Sequence, residues 1–162
     1  MNKKTKNWII WSSAFALLVA PDQLVKHLVT SGKDNLPLAL IKNVISITHT
    51  KNTGAAFSLF QSLGWLFSIL ALIALAAIIY ILARGYFKST WGTWGLIFVA
   101  AGAAGNLTDR LLHGYVVDMI KLEFIDFAVF NVADTWVTVG AGCLIIYLFC
   151  YFEKEHAKEN HP

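Results

Sequence analysis

Uncharged, mostly apolar stretches recur four times along the chain. No charged side chain occurs in residues 7–21, 52–83 or 89–108, and Asp134 is the only one in residues 127–152. A helix that crosses a membrane needs roughly 20 mostly apolar residues. The pattern predicts an α-helical membrane protein with four spans at about 8–28, 63–83, 91–109 and 133–152. Pro21 and Asp22 interrupt the first span. Its clean apolar part is short, so its far end is expected at the membrane surface or along a polar cavity. Residues 45–50 and 120–124 alternate apolar and polar side chains, the period of a strand. A small sheet on the membrane surface follows. Residues 84–90 read as a plain connector, and the polar tail 153–162 is expected to fray. Small residues at Ala101, Gly105, Gly140 and Gly142 suit close helix–helix approach.

Composition agrees with this pattern. Hydrophobic residues make up 57% of the 162, and charged residues 14%, against about 25% in an ordinary soluble domain. Mean hydropathy is +0.59. A disordered chain, a disulfide-rich secreted module and a typical water-soluble enzyme are excluded. The length suits one domain, 1–162. Lys3, Lys4 and Lys6 precede an apolar stretch, as in a secretory leader. No small-x-small cleavage site leads into a soluble domain, so this segment is read as a retained first span.

Four spans place both termini on one side. Seven of the thirteen basic residues then share that side, which points weakly to cytosolic termini. The acids separate further: all six aspartates and Glu123 lie at or beyond the opposite face, and three glutamates lie in the tail. Nothing in the charge pattern suggests nucleic-acid binding.

Many chemistries find no support. Cys143 and Cys150 fall on one helix about 10 Å apart, too far for a disulfide. The five histidines have no metal-ligand spacing, and neither a GxSxG elbow nor a phosphate loop occurs. Carboxylates, amides and a few basic residues remain. Asp22 and Lys26 stand four apart and can pair on one helix face. Asp109 and Arg110 end the third span, with Asn106 one turn back, a possible structural polar cluster. Asp134 has no base at helical spacing. Asp118 is embedded among apolar residues, and Asp134 starts the fourth span, where it suits a helix cap. Spans three and four are consecutive, so their outer ends can meet. Two carboxylates in a low-dielectric site share one proton, leaving one acid and one base. That is the minimum equipment for activating a water against an amide.

Five segments, taken in order, are more specific than any one. They are Asp22-Gln-Leu-Val-Lys26, Asn52-Thr-Gly-Ala-Ala-Phe57, Gly105-Asn-Leu-Thr-Asp-Arg110, Val116-Val-Asp-Met-Ile120 and Phe130-Asn-Val-Ala-Asp134. In order and spacing they resemble lipoprotein signal peptidase, the type II signal peptidase family of bacteria. The resemblance covers essentially the whole chain. It implies an aspartic endopeptidase of the cytoplasmic membrane, multi-pass, with cytosolic termini and a site near the extracytoplasmic face. Such an enzyme cuts the signal peptide from a prolipoprotein just before a cysteine that already carries diacylglycerol. Carried over, Asp118 and Asp134 look like the catalytic pair. Asn52, Gly54, Asn106, Asp109, Arg110, Asn131 and Ala133 look like supporting or substrate-contacting residues, and Asp22 and Lys26 like a pair at the site's edge. A small β-cradle and a flexible surface loop would cover the site. The implied partners are lipidated prolipoprotein signal peptides and membrane lipids. No metal, organic cofactor or obligate protein partner is implied.

Two other classes compete on the residues alone. A small transporter or channel also places acids among membrane helices, although no internal repeat is present here. A structural subunit would explain the small residues but not five polar motifs at one end.

Overall fold

A computed structural model describes residues 2–54 and 63–152. Ala55, Ala56, Phe57 and the tail 153–162 lie outside the described residues. Four long helices carry the fold: α1 (Lys3–Ser31), α2 (Gly64–Arg84), α3 (Thr90–His113) and α4 (Val132–Cys150). Three strands form one antiparallel sheet in the order β1 (Leu38–Ile41), β2 (Ile45–Asn52), β3 (Val116–Leu122). β1 and β2 follow α1, and β3 joins α3 to α4, so the sheet sits at one end of the bundle.

By length and composition, α1, α2 and α4 can each cross a membrane. The 24-residue α3 is less apolar because glycine, threonine and tryptophan dilute its aliphatic residues. It is the inner helix, packed on the other three, with ten buried residues against one on α2 and three on α4. Glycines set its distance from α4. A methyl group on Gly140 would stand 2.7 Å from the Gly95 carbonyl oxygen and 2.8 Å from the Val99 amide nitrogen, both backbone atoms. Large aliphatic and aromatic side chains elsewhere face outward, among them Leu17, Leu72, Ile73 and Phe149. In a soluble protein this would be an aggregation surface. On spanning helices it is the face the bilayer covers.

The expected interruption at Pro21 is not a break. α1 runs unbroken through it. Proline removes the donor that the Leu17 carbonyl would otherwise receive and crowds the preceding turn, and the adjoining carbonyl of that turn gains a donor from the neighbouring helix. Trp136 Nε1 on α4 donates to the Leu18 carbonyl oxygen at 3.0 Å. Such rescue by a neighbour is how membrane helices tolerate proline.

Candidate active site

Strand register brings the first carboxylate into place. β2 pairs with β3 so that Thr50 faces Asp118 and Asn52 faces Val116. Side chains two apart on a strand share a face, so Asn52 and Asp118 are diagonal neighbours. Asn52 Nδ2 donates to Asp118 Oδ2 at 2.8 Å. The Asn52 side-chain oxygen accepts from the Gly54 amide at 3.0 Å, which turns the chain at the strand's end.

The second carboxylate arrives by a backbone clamp. The Phe130 amide donates to the Ile120 carbonyl at 3.1 Å, and the Ile120 amide returns the bond at 2.8 Å. This bridge ties the start of α4 to β3. The very next residue, Asn131, caps the helix. Its side-chain oxygen accepts from the Asp134 amide at 2.9 Å, and Asp134 Oδ2 accepts from the Asn131 amide at 3.1 Å. This reciprocal arrangement satisfies two helix-end donors. Capping was one of two readings of Asp134; Asn131 is the cap and Asp134 its partner three residues on.

Asn131 also joins the two acids. Its Nδ2 donates to Asp118 Oδ1 at 2.6 Å and to Asn106 Oδ1 at 3.0 Å. Asn106 Nδ2 in turn donates to Asp134 Oδ1 at 2.8 Å. Both acids are therefore held through amides, and Asn131 is wholly buried. Burial is the main influence on Asp118 and pushes its carboxyl up to about 6. The Asp134 charge adds to the rise, while the hydrogen bonds from Asn52 and Asn131 oppose it.

Beneath the acids lies a buried ionic cluster. Lys26 Nζ stands 3.0 Å from Asp22 Oδ2, from Asp109 Oδ2 and from Asn106 Oδ1. Lys26, Asp22 and Asp109 are each at most 3% exposed. Asp22 Oδ1 accepts from the Ala133 amide at 2.8 Å, and Asp109 Oδ2 from the Val117 amide at 3.0 Å. Two acids thus pin the backbone beside the other two. Gly105 lets α1 come this close, since a methyl group there would stand 2.5 Å from Asp22 Oδ2. The site gains one residue that sequence reasoning passed over. Gln23 Nε2 donates to Asp22 Oδ2, the Gly105 carbonyl and Asp109 Oδ1 at 3.0, 3.1 and 3.3 Å. Its place between Asp22 and Lys26 in the first motif was the available signal.

Arg110 does not join this cluster, although it follows Asp109. Its Nη2 donates to the Gly54 carbonyl at 3.1 Å, and its guanidinium stands 5.5 Å from the centre of the Phe67 ring. Its Nε is buried without a partner among the described residues.

A cavity of about 580 Å³ opens over the acids. That volume lies within the usual range of ligand sites. Asn52, Asn106, Arg110, Asp118 and Asp134 form its polar end. Phe67, Phe127, Val129, Phe130, Val137 and Val139 form an apolar wall. Phe127, Val137 and Val139 are also exposed on the outer surface, so the cavity opens sideways along α4. Among the described residues no group of His, Cys, Asp and Glu is arranged to hold a metal ion.

The family described as signal peptidase (SPase) II matches residues 14–150. The chain is 43% identical over 149 residues to a lipoprotein signal peptidase of Streptococcus thermophilus, covering 91% of this chain and 95% of the relative. It is 42% identical over 160 residues to a lipoprotein signal peptidase of Enterococcus faecalis, covering 96% of each. Among solved structures, a bacterial membrane enzyme determined in meso superposes with a TM-score of 0.80 at 30% identity, covering 86% of this chain and 87% of that one.

Proposed function

The chain belongs to the signal peptidase II family, and from that premise we propose that it removes the signal peptide from prolipoproteins as an aspartic endopeptidase. In this reading residues 1–162 form one peptidase domain of the cytoplasmic membrane. The termini are cytosolic, the acids sit near the outer face, and the cut falls before a diacylglyceryl-modified cysteine. The observation that carries the reading is the Asn131 side chain donating to Asp118 while its own amide donates to Asp134, over an open cavity.

The working pair shares one proton between its two carboxyl groups. The ionised carboxylate takes a proton from water as the water oxygen bonds to the scissile carbonyl carbon. The protonated carboxyl gives its proton to the carbonyl oxygen. Collapse of the tetrahedral intermediate breaks the C–N bond; one carboxyl protonates the leaving amine and the other takes back a hydroxyl proton. The pair titrates as a unit, so neither acid owns one role throughout. Asn131 commits both side-chain N–H groups to Asp118 and Asn106. Arg110 lines the cavity and has guanidinium N–H groups beyond the one given to Gly54, so it is the better donor for a substrate carbonyl. Asp22, Lys26, Asp109 and Ala133 act by holding the backbone of β3 and α4 in place.

A processing assay in reconstituted membranes tests this. Asp118→Asn and Asp134→Asn are each expected to insert and fold, yet to lose cleavage of a lipidated prolipoprotein by at least about a hundredfold. Normal turnover in either variant would remove the pair from the mechanism. In the same assay, replacing the free Cys143 and Cys150 together by alanine is expected to leave turnover intact. Loss of turnover in that variant, with normal expression, would point to a thiol instead.

A further inference from the structure

A second cavity lies at the other end of the bundle, between the first turns of α1 and the last turn of α2, with a volume of about 400 Å³. Lys4 and Arg84 flank it, while Trp8 and Trp11 wall one side with rings 5.4 Å apart, edge to face. Leu82 and Ala83 line the other side. The Arg84 guanidinium stands 5.8 Å from the centre of the Tyr80 ring, on the helix surface. All seven acids among the described residues lie at the opposite end of the bundle, so neither cation has a carboxylate partner among those residues.

We propose that this cavity binds the headgroup of one anionic phospholipid, with the phosphate between Lys4 and Arg84 and the upper acyl chains against Trp8, Trp11 and Leu82. Three features point the same way. Basic pockets between spanning helices suit anionic headgroups. Tryptophan favours the headgroup level, where a flat apolar ring meets a polar N–H. A role for the lysines in setting topology alone would need positive charge near the helix ends, not a walled cavity between two helices. The inference rests on reading α1 and α2 as membrane spans, and not on the acid pair at the far end.

Native mass spectrometry of the delipidated full chain in neutral detergent tests it. Phosphatidylglycerol and phosphatidylcholine with the same acyl chains are titrated separately. The first phosphatidylglycerol is expected to bind roughly tenfold more tightly than phosphatidylcholine. The double variant Lys4→Gln, Arg84→Gln is expected to lose that preference, while Lys33→Gln, Lys42→Gln at the opposite end keeps it. Equal affinity for the two lipids, or an unchanged preference in the first double variant, would overturn the proposal. So would complete displacement of phosphatidylglycerol by excess inorganic phosphate, which would mark a free-anion site. Lys4 and Arg84 are exposed, so that variant is expected to keep its thermal midpoint and its cleavage rate in neutral detergent. Lost cleavage in the Asp118 and Asp134 variants and lost lipid preference in this one are thus independent results.

Discussion

Asn131 is the residue on which the candidate site turns, because its backbone and side chain serve different acids. It caps α4 through one set of atoms and reaches Asp118 through another. This coupling makes a definite pH dependence. The Asp118 carboxyl is raised to about 6, chiefly by burial. Below that pH Asp118 carries the proton that the pair shares, and the pair has both an acid and a base. As pH rises through about 6 it loses that proton, and no acid remains to protonate the carbonyl oxygen. Cleavage is therefore expected to fall on the alkaline side with an apparent pKa near 6, measured as kcat/KM against pH. Asp118 was marked out in the sequence by its apolar neighbours. Asn131 as a bridge was not legible from spacing, since its reach to Asp118 depends on the Phe130–Ile120 backbone clamp. Gln23 was hidden for the same reason: its partners Gly105 and Asp109 lie more than eighty positions away along the chain.

At the level of elements, the contact between α3 and α4 sets the spacing of Asn106 from Asp134. The backbone atoms that face Gly140 cannot swing aside as a side chain could. Gly140→Ala is expected to destabilise the folded protein by about 1–3 kcal/mol. The check is the thermal midpoint in detergent, with Gly142→Ala as the control because its Cβ would meet nothing within 4 Å. Equal midpoints for the two variants would show that the helices do not depend on this approach. The four helices were legible because hydropathy over twenty residues is a strong signal, and α3 was legible despite its dilution by glycine. β2 announced itself by alternation, but β3 did so only over residues 120–122, because Val116, Val117, Asp118 and Met119 are all buried and show no period of two. β1 did not: Leu38, Leu40 and Ile41 are all exposed, and it has no buried face to impose a period of two. The continuity of α1 through Pro21 was also unreadable, because the compensating donor, Trp136, comes from a different helix.

Among the described residues the buried polar groups are concentrated at one end, and the cavity there opens from the side. The amides and acids there can recognise one peptide bond, but they offer little contact to anything longer. Most of the cavity's surface is instead the apolar wall of Phe67, Phe127, Val129, Phe130, Val137 and Val139. Burying a methylene is worth about 0.8 kcal/mol, so a few acyl carbons seated on that wall would outweigh a net hydrogen bond of about 1 kcal/mol. A membrane-anchored, lipid-bearing substrate can therefore use binding that a bare peptide cannot. It also arrives along the path by which the cavity is open, between the Phe127 segment and the outer face of α4. A precursor identical in sequence but lacking the diacylglyceryl group is expected to accumulate uncut, with kcat/KM lower by at least about a hundredfold, the equivalent of about 2.7 kcal/mol. The comparison needs both precursors in the same vesicles, so that membrane partitioning is shared and the difference reports the wall alone. If the two are cut at equal rates, the apolar wall does not hold the lipid, and the sideways opening serves only the signal helix.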